Sequence, residues 1–287
     1  RARAGPARQS LRVPGFGPEN LPYGVTGDGH TVVAWGDEVI YLARLPGLDI
    51  DPSVFSAGSL NPFMELGPDA WAHTRAAVRR LAAAAPPEAR RARTATRLVL
   101  PWTVGDYTDF YASREHATNM GRMLRPGEDP LPPAWLHLPI GYHGRSGSVI
   151  VGGEPVHRPA VLLPVPAGPA YRPTSRLAVE VELGFVVGVP VPRGRAVTAA
   201  EADRHIFGMV LVNDWSARDI QAFEYRPLGP FLAKSFATSV SPWVVPMAAL
   251  DPWRTDGPVQ DPEPVDYLKA AEPRNLAVQL RRLVNGT

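Results

Sequence analysis

Prolines and glycines set the first limit on this chain: they are 33 and 26 of its 287 residues, about one position in five. Proline lacks the N–H that helices and sheets use, and glycine weakens element interiors. Such density predicts short strands joined by many turns and argues against a helical bundle. Hydrophobic residues make up 45% and charged ones 20%, which is enough apolar mass for one large or two ordinary domains and speaks against wholesale disorder. Thirty basic against 28 acidic residues leave a net charge of +2, too weak a field to recruit nucleic acid. No apolar run approaches the ~20 residues of a membrane span. Cysteine is absent, which removes disulfides, thiolate zinc sites and a cysteine nucleophile and fits a reducing compartment.

Hydrophobic periodicity divides the chain. Thr31–Trp35 and Glu38–Leu42 flank Gly36-Asp37, a hairpin signal. One clear helix is predicted over Asp69–Ala85, with Pro68 ahead of it and Pro86-Pro87 closing it. An Arg-rich connector follows and places a domain boundary near residue 95, dividing 1–95 from 96–287. Beyond it, short strands are predicted from Ser148, Leu177, Gly208 and Ser241, while the proline-rich stretch 158–174 reads as a long loop. The Arg-rich opening R-A-R-A-G-P-A-R-Q-S contains no hydrophobic segment and is not read as a secretory signal. At the other end, strand-like residues run from Asn275 into Asn285-Gly286, a hairpin opener with no second strand after it. The chain therefore reads as incomplete at its C-terminus.

Absent motifs narrow the chemistry. There is no phosphate-binding G-x-x-x-x-G-K-[ST], no strand-linked G-x-G-x-x-G, no H-E-x-x-H and no G-x-S-x-G. Three segments carry positive signals. In A-V-E-V-E-L-G-F, Glu180 and Glu182 alternate with apolar residues, so on a strand they share a face ~6.5–7 Å apart. They read either as a solvated sheet face or as paired hard-oxygen ligands for Ca²⁺ or Mg²⁺. Asp106–His116 packs acids, two tyrosines, an arginine and a histidine into eleven residues at a predicted strand-to-loop transition, and His116 is a candidate general base. The other six histidines (30, 73, 137, 143, 157 and 205) read as ordinary surface or core residues. In the third segment, Asp214, Arg218, Gln221 and Tyr225 recur at three- or four-residue steps and would share a face if helical. Lys234 follows, one of only two lysines beside 28 arginines, which hints at a position where a guanidinium would not serve.

These segments, with W-L-H-L-P-I-G-Y-H-G-R (135–145), Y-R-P-L-G-P-F-L-A-K-S-F (225–236) and N-L-P-Y-G-V (20–25), stand in the order found in the fumarylacetoacetase family, which the chain resembles from about residue 12 to its last residue. The resemblance implies a mainly β (α+β) fold. A small SH3-like N-terminal β-barrel domain would be followed by a larger mixed-β catalytic domain, here incomplete, in a cytoplasmic homodimer. It implies hydrolysis of a carbon–carbon bond in a small-molecule 1,3-diketo acid, 4-fumarylacetoacetate, to fumarate and acetoacetate, closing tyrosine and phenylalanine catabolism, with no nucleic acid or membrane partner.

By matching position, Asp109, Glu180, Glu182 and Asp214 would hold Ca²⁺, and Asp214, Lys234 and Thr238 would surround Mg²⁺. His116 would activate water, and Arg218, Gln221 and Lys234 would stabilise the oxyanion. Tyr111, Arg125, Tyr142, Gln221 and Tyr225 would contact substrate. The chain departs from the family pattern at Ala233 and Ala237, where glycine is familiar, and at A-V-L-L after Pro159. It also ends before the family's later part, which supplies a glutamate that orients the histidine and a Gly-Thr loop. With that acid and a partner for the last strand missing, the 287 residues are expected to be inactive alone. Two other readings remain: a superfamily hydrolase or decarboxylase acting on acylpyruvate-like diketo acids, and a non-catalytic metal-binding remnant.

Overall fold

The computed structural model describes residues 15–269, 275–283 and 285. The opening ten residues read above lie outside the described residues, as does Gly286 of the terminal Asn-Gly pair. Strands β1 (Tyr23–Thr26), β2 (Thr31–Trp35) and β3 (Glu38–Tyr41) form an antiparallel meander, with the anticipated turn at Gly36-Asp37. Helices α1 (Asn61–Glu65) and α2 (Pro68–Leu81) follow. Proline opens α2 at its first position, where no N–H is needed. Strands β4 (Arg90–Ala92) and β5 (Leu98–Val99) complete a five-stranded sheet in the order β4-β3-β2-β1-β5.

One core spans this sheet and the following region. Tyr23, Ile40, Phe55, Phe63 and Val78 pack with Phe207, Val210 and Val244, all nearly inaccessible to solvent. The rings of Tyr23 and Phe207 lie 5.4 Å apart, and the Tyr23 and Val244 backbones exchange two hydrogen bonds of 2.8 Å. Burying such aromatic side chains stabilises by about 1.5–3 kcal/mol each, so the N-terminal sheet is tied firmly to the element that carries the site.

That element is a second sheet, in which strand Leu177–Val187 lies beside Ile206–Ala217, followed by Thr238–Val240 and then Val149–Val151. A two-stranded ribbon precedes it: β6 (Thr108–Phe110), then helix α3 (Arg114–Leu124), then β7 (Gly141–His143). Next come β8 (Val149–Val151), β9 (Ala160–Leu163), β10 (Ala170–Pro173) and the long β11 (Leu177–Val187). After α4 (Ala199–Ala202) the chain runs through β12 (Ile206–Ala217), α5 (Arg218–Glu224), α6 (Leu232–Ser235) and β13 (Thr238–Val240). Short strands β14 (Val245–Pro246), β15 (Arg254–Thr255) and β16 (Asn275–Leu276) end the described fold. Among the described residues no helix is long and apolar enough to cross a membrane.

Several local expectations are corrected. The stretch 158–174 contains the β9–β10 hairpin, because A-V-L-L supplies a β-prone run whose Leu163 is buried against Ala217, Ile220 and Ala233. The strand expected from Ser241 is reduced to the Tyr23–Val244 bridge and β14 at Val245–Pro246, and β13 ahead of it, at Thr238–Val240, is held between β12 and β8. The strand expected from Asn275 spans only Asn275–Leu276 and does have a partner, β15. Asp106–His116 ends in a helix rather than a loop: the Ser113 hydroxyl accepts from the His116 amide at 3.2 Å and caps the first turn of α3. Ala233 and Ala237 are buried and keep ordinary negative φ, so replacing glycine there costs no backbone strain.

Candidate active site

The anticipated pair on β11 is present, with the sides of the sheet reversed from the solvated-face reading. Glu180 is 8% exposed, whereas the alternate residues Val181, Leu183 and Phe185 are 37–48% exposed. The acids therefore point inward, and the apolar residues of this strand point out. Register then does what sequence spacing could not. Glu180 lies opposite Asp214, and Asp214 lies opposite Thr238, giving one row across β11, β12 and β13. Directly opposed residues hold their Cβ atoms about 4.5–5.5 Å apart. Asp214 is thus on a strand. Only Arg218, Gln221 and Tyr225 belong to the helical run through α5 and its C-terminal cap, which corrects the single-face expectation.

Asp109 arrives from the β6–β7 ribbon. Gly141 and Gly144 allow that approach: a Cβ on the first would collide with the Asp109 carbonyl and on the second with the Tyr107 carbonyl. Carboxylate oxygens of Asp109, Glu182 and Asp214 all lie within 4.8 Å of one another. Such crowding is costly without positive charge. Burial, then the charges of Asp214, Asp109 and Glu180, push the Glu182 carboxyl up to about 8. Burial also raises Asp214 to about 6, with Asp109 adding to the rise and Lys234 opposing it. Three convergent hard oxygen donors that repel one another fit a divalent cation of the Ca²⁺ or Mg²⁺ type.

Glu180 stands beside this trio with both oxygens engaged. Oε1 lies 3.2 Å from His116 Nε2 and accepts from Arg218 Nη2, while Oε2 accepts from Lys234 Nζ at 2.6 Å. Burial alone would raise its carboxyl, but the hydrogen bond with His116 and the charges of Lys234 and Arg218 hold it well below the carboxylate range. His116, expected to lack an acid, therefore has one within the described residues.

Lys234 is buried, donates to Asp214 Oδ2 as well, and lies 3.6 Å from Asp109 Oδ2. Burial would lower its pKa, yet Asp214, Glu180 and Asp109 hold it above the usual lysine value. An ammonium has no lone pair, so of the three residues expected around Mg²⁺ only Asp214 and Thr238 can ligate. Thr238 Oγ1 shares a 3.3 Å hydrogen bond with the Tyr107 hydroxyl.

The oxyanion and substrate candidates form a connected chain. Arg218 Nη1 donates to Gln221 Oε1 at 2.8 Å, and Gln221 Nε2 donates to the Tyr142 hydroxyl at 3.0 Å. The Tyr111 ring meets His116 edge-on at 6.3 Å. Arg125 and Tyr225 come together where α3 and α5 end: the Tyr225 hydroxyl donates to the Leu124 carbonyl at 3.4 Å, and both residues line a groove with Glu128 and Arg226. None of the carboxylates of the cluster lines that groove. Phe231, at a left-handed φ of 63°, packs on Tyr142 at 4.9 Å and starts the turn that carries Lys234. A non-glycine residue held there is strained by about 1–3 kcal/mol, as is common beside functional groups.

Sequence reasoning missed Arg145. As one arginine among 28 it gave no compositional signal, and only its place in G-Y-H-G-R could have drawn notice. Asp219 was missed too. It accepts from Thr174, Ser175 and Ile220 and fastens the β10–β11 connection to α5.

A histidine facing a buried carboxylate, a set of buried donors and a tri-carboxylate nest between a mixed sheet and its neighbouring ribbon fit a metal-assisted hydrolytic enzyme. The fumarylacetoacetase N-terminal family model matches residues 19–104, and the fumarylacetoacetate hydrolase C-terminal model matches residues 106–287. The chain is 43% identical to rat (Rattus norvegicus) fumarylacetoacetase over 294 residues, covering 94% of this chain and 70% of that protein. It is 44% identical to the Homo sapiens enzyme, with 93% and 70% covered, and 39% identical to that of Arabidopsis thaliana, with 92% and 69% covered. The chain belongs to the fumarylacetoacetate hydrolase family.

Proposed function

We propose that this protein hydrolyses the carbon–carbon bond of 4-fumarylacetoacetate, yielding fumarate and acetoacetate. The observation that carries this reading is His116 facing Glu180 beside the Asp109–Glu182–Asp214 nest. With Glu180 accepting from Nε2–H, the imidazole lone pair sits on Nδ1. The side chain is 41% exposed, so that lone pair can take a proton from water. The hydroxide oxygen bonds to the substrate carbonyl carbon, and the carbonyl π electrons move to oxygen. Arg218, bonded to Gln221, and Lys234, which shares the Glu180 carboxylate with Arg218, stabilise that oxyanion together with Gln221 without reorganising. Collapse re-forms the carbonyl and breaks the carbon–carbon bond, and the electron pair leaves as an enolate that the proton on His116 quenches. Asp109, Glu182 and Asp214 would hold a divalent ion, Ca²⁺ or Mg²⁺, whose positive charge disperses that of the departing enolate. Arg125 and the tyrosines 111, 142 and 225 would orient the diacid, the guanidinium being suited to a carboxylate.

The division into an SH3-like N-terminal domain and a catalytic domain, a cytoplasmic setting, homodimerisation and a place in tyrosine and phenylalanine breakdown belong to the same proposal. Turnover of 4-fumarylacetoacetate, followed by loss of its enol absorbance, tests it. A His116→Ala variant is expected to lose at least about 100-fold in kcat, and unchanged turnover in that variant rejects the mechanism.

A further inference from the structure

We propose that Arg145 is a positioning residue that sets the separation of Asp109 and Asp214 and thereby the ion-binding geometry of the nest; this rests on reading Asp109, Glu182 and Asp214 as ion ligands. The two aspartates belong to different sheets. Asp109 lies on the β6–β7 ribbon and Asp214 on β12, and no ladder hydrogen bonds join the two sheets among the described residues. Strand register therefore fixes Asp214 against Glu180 but cannot fix Asp109 against either. A side chain must do that.

Arg145 is built for the task. Its Nη2 donates to Asp109 Oδ2 at 3.1 Å and to Asp214 Oδ1 at 3.2 Å, one nitrogen bridging the two carboxylates. Nη1 donates to the His143 carbonyl at 3.0 Å, which anchors the guanidinium to β7, the partner of β6. The residue's own carbonyl accepts from the amide and hydroxyl of Ser148, immediately before β8 of the main sheet. Backbone and side chain together thus span the junction between ribbon and sheet. The side chain is 3% exposed, and its guanidinium carbon lies over the Tyr107 ring, 5.4 Å from the centroid. Its Nε is buried without a partner among the described residues, so the orientation is chosen for the aspartates at the expense of one donor. Lys234 grips the opposite oxygen of Asp214, leaving that carboxylate little freedom to rotate.

Charge and position make opposite predictions here. Asp109, Glu180, Glu182 and Asp214 face three cations, Lys234, Arg218 and Arg145. Removing a cation from this cluster raises its attraction for a divalent ion. If Arg145 acted only through its charge, Arg145→Gln would bind ions more tightly. If it positions the aspartates, the same variant binds more weakly, because the ligands relax apart. Loss of an outer contact of this kind typically weakens metal binding about 10–100-fold.

Calcium titration by calorimetry and Tb³⁺ luminescence lifetimes in H₂O and D₂O test this on the whole chain. Wild type, Arg145→Gln, Arg145→Lys and the Asp109→Asn/Glu182→Gln double variant are compared. We expect both Arg145 variants to bind Ca²⁺ at least about tenfold more weakly. Tb³⁺ bound to them should carry additional water, as ligation by one aspartate is lost. Tighter or unchanged Ca²⁺ binding with an unaltered Tb³⁺ lifetime overturns the proposal. Loss of the native circular dichroism spectrum in both variants overturns it as well, since the residue then holds the fold rather than the ion geometry. If wild type binds no Ca²⁺, or the double variant binds as wild type does, the ligand assignment itself fails and the role of Arg145 falls with it. That failure differs from one confined to the Arg145 variants.

Discussion

Lys234→Met removes the one ammonium shared by three acids and leaves its side-chain volume almost unchanged. Its Nζ contacts Glu180 Oε2 at 2.6 Å and Asp214 Oδ2 more closely still, with Asp109 Oδ2 at 3.6 Å, in a site only 6% exposed at the lysine. Deleting one partner of a buried ion pair strands the other in low dielectric and costs about 3–5 kcal/mol. For a chain of this size each kcal/mol lowers the melting temperature by roughly 2–4 °C, so the variant should melt roughly 6–20 °C below wild type in chelator. The sign with pH follows from the raised lysine pKa. That stabilisation is fully present below the unfolded lysine value of about 10.4 and is lost only as pH rises through the still higher folded value. The deficit should therefore persist through neutral pH. Thermal melts followed by circular dichroism measure it, first in chelator and then in millimolar Ca²⁺. Calcium should recover more stability for Lys234→Met than for wild type, because it places positive charge among the same oxygens. Lys234→Arg should not rescue the loss, since a flat guanidinium cannot replace a compact ammonium among three carboxylates. A Lys234→Met melt within roughly 1 °C of wild type in chelator would refute the premise that this ammonium offsets the acids.

Two further perturbations test the supports of the site. Asp219→Ala should destabilise by about 1–3 kcal/mol by denaturant titration, since it removes charge-assisted bonds from Thr174, Ser175 and Ile220. Burial pushes the Asp219 carboxyl up, but those hydrogen bonds outweigh it and hold it low. Its contribution is thus present above the unfolded value of about 3.9 and disappears as pH falls through the lower folded value, where mutant and wild type should converge. Gly144→Ala would drive a methyl group into the Tyr107 carbonyl and the Asp106 side chain, displacing the ribbon that carries Asp109. Weaker Ca²⁺ binding in calorimetry is the expected result, and wild-type affinity would show that the close approach is dispensable.

Much of the architecture is written locally. The Gly36-Asp37 hairpin, the proline-started helix α2 and the whole of β11 follow from turn chemistry and periodicity, and the structure places them within a few residues of expectation. The local errors have equally local causes. The many prolines of 158–174 hid a hairpin whose strands are held by pairing with each other and by the burial of Leu163. The capping role of Ser113 turned an expected loop into α3.

Residue chemistry also named most of the site before any geometry was known. Glu180, Glu182, Asp214 and Lys234 stood out by alternation, by clustering or by rarity, and His116 by its company. What alternation could not decide was which face of β11 turns inward. Two carboxylates between apolar residues are compatible with a solvated face or with an inward one, and only the packing of the sheet turned them inward.

The sequence by itself determined the elements, the family pattern and the kinds of group available for chemistry, because turns, periodicity and residue type act over a few neighbouring positions. The tertiary structure alone decided who meets whom. It set Asp214 between Glu180 and Thr238, turned Glu180 toward His116 and Lys234 rather than into the trio, and placed Arg145 across two sheets. Those encounters join residues as far apart as Asp109 and Lys234, and their energies depend on burial and distance, which arise only once the chain has closed on itself.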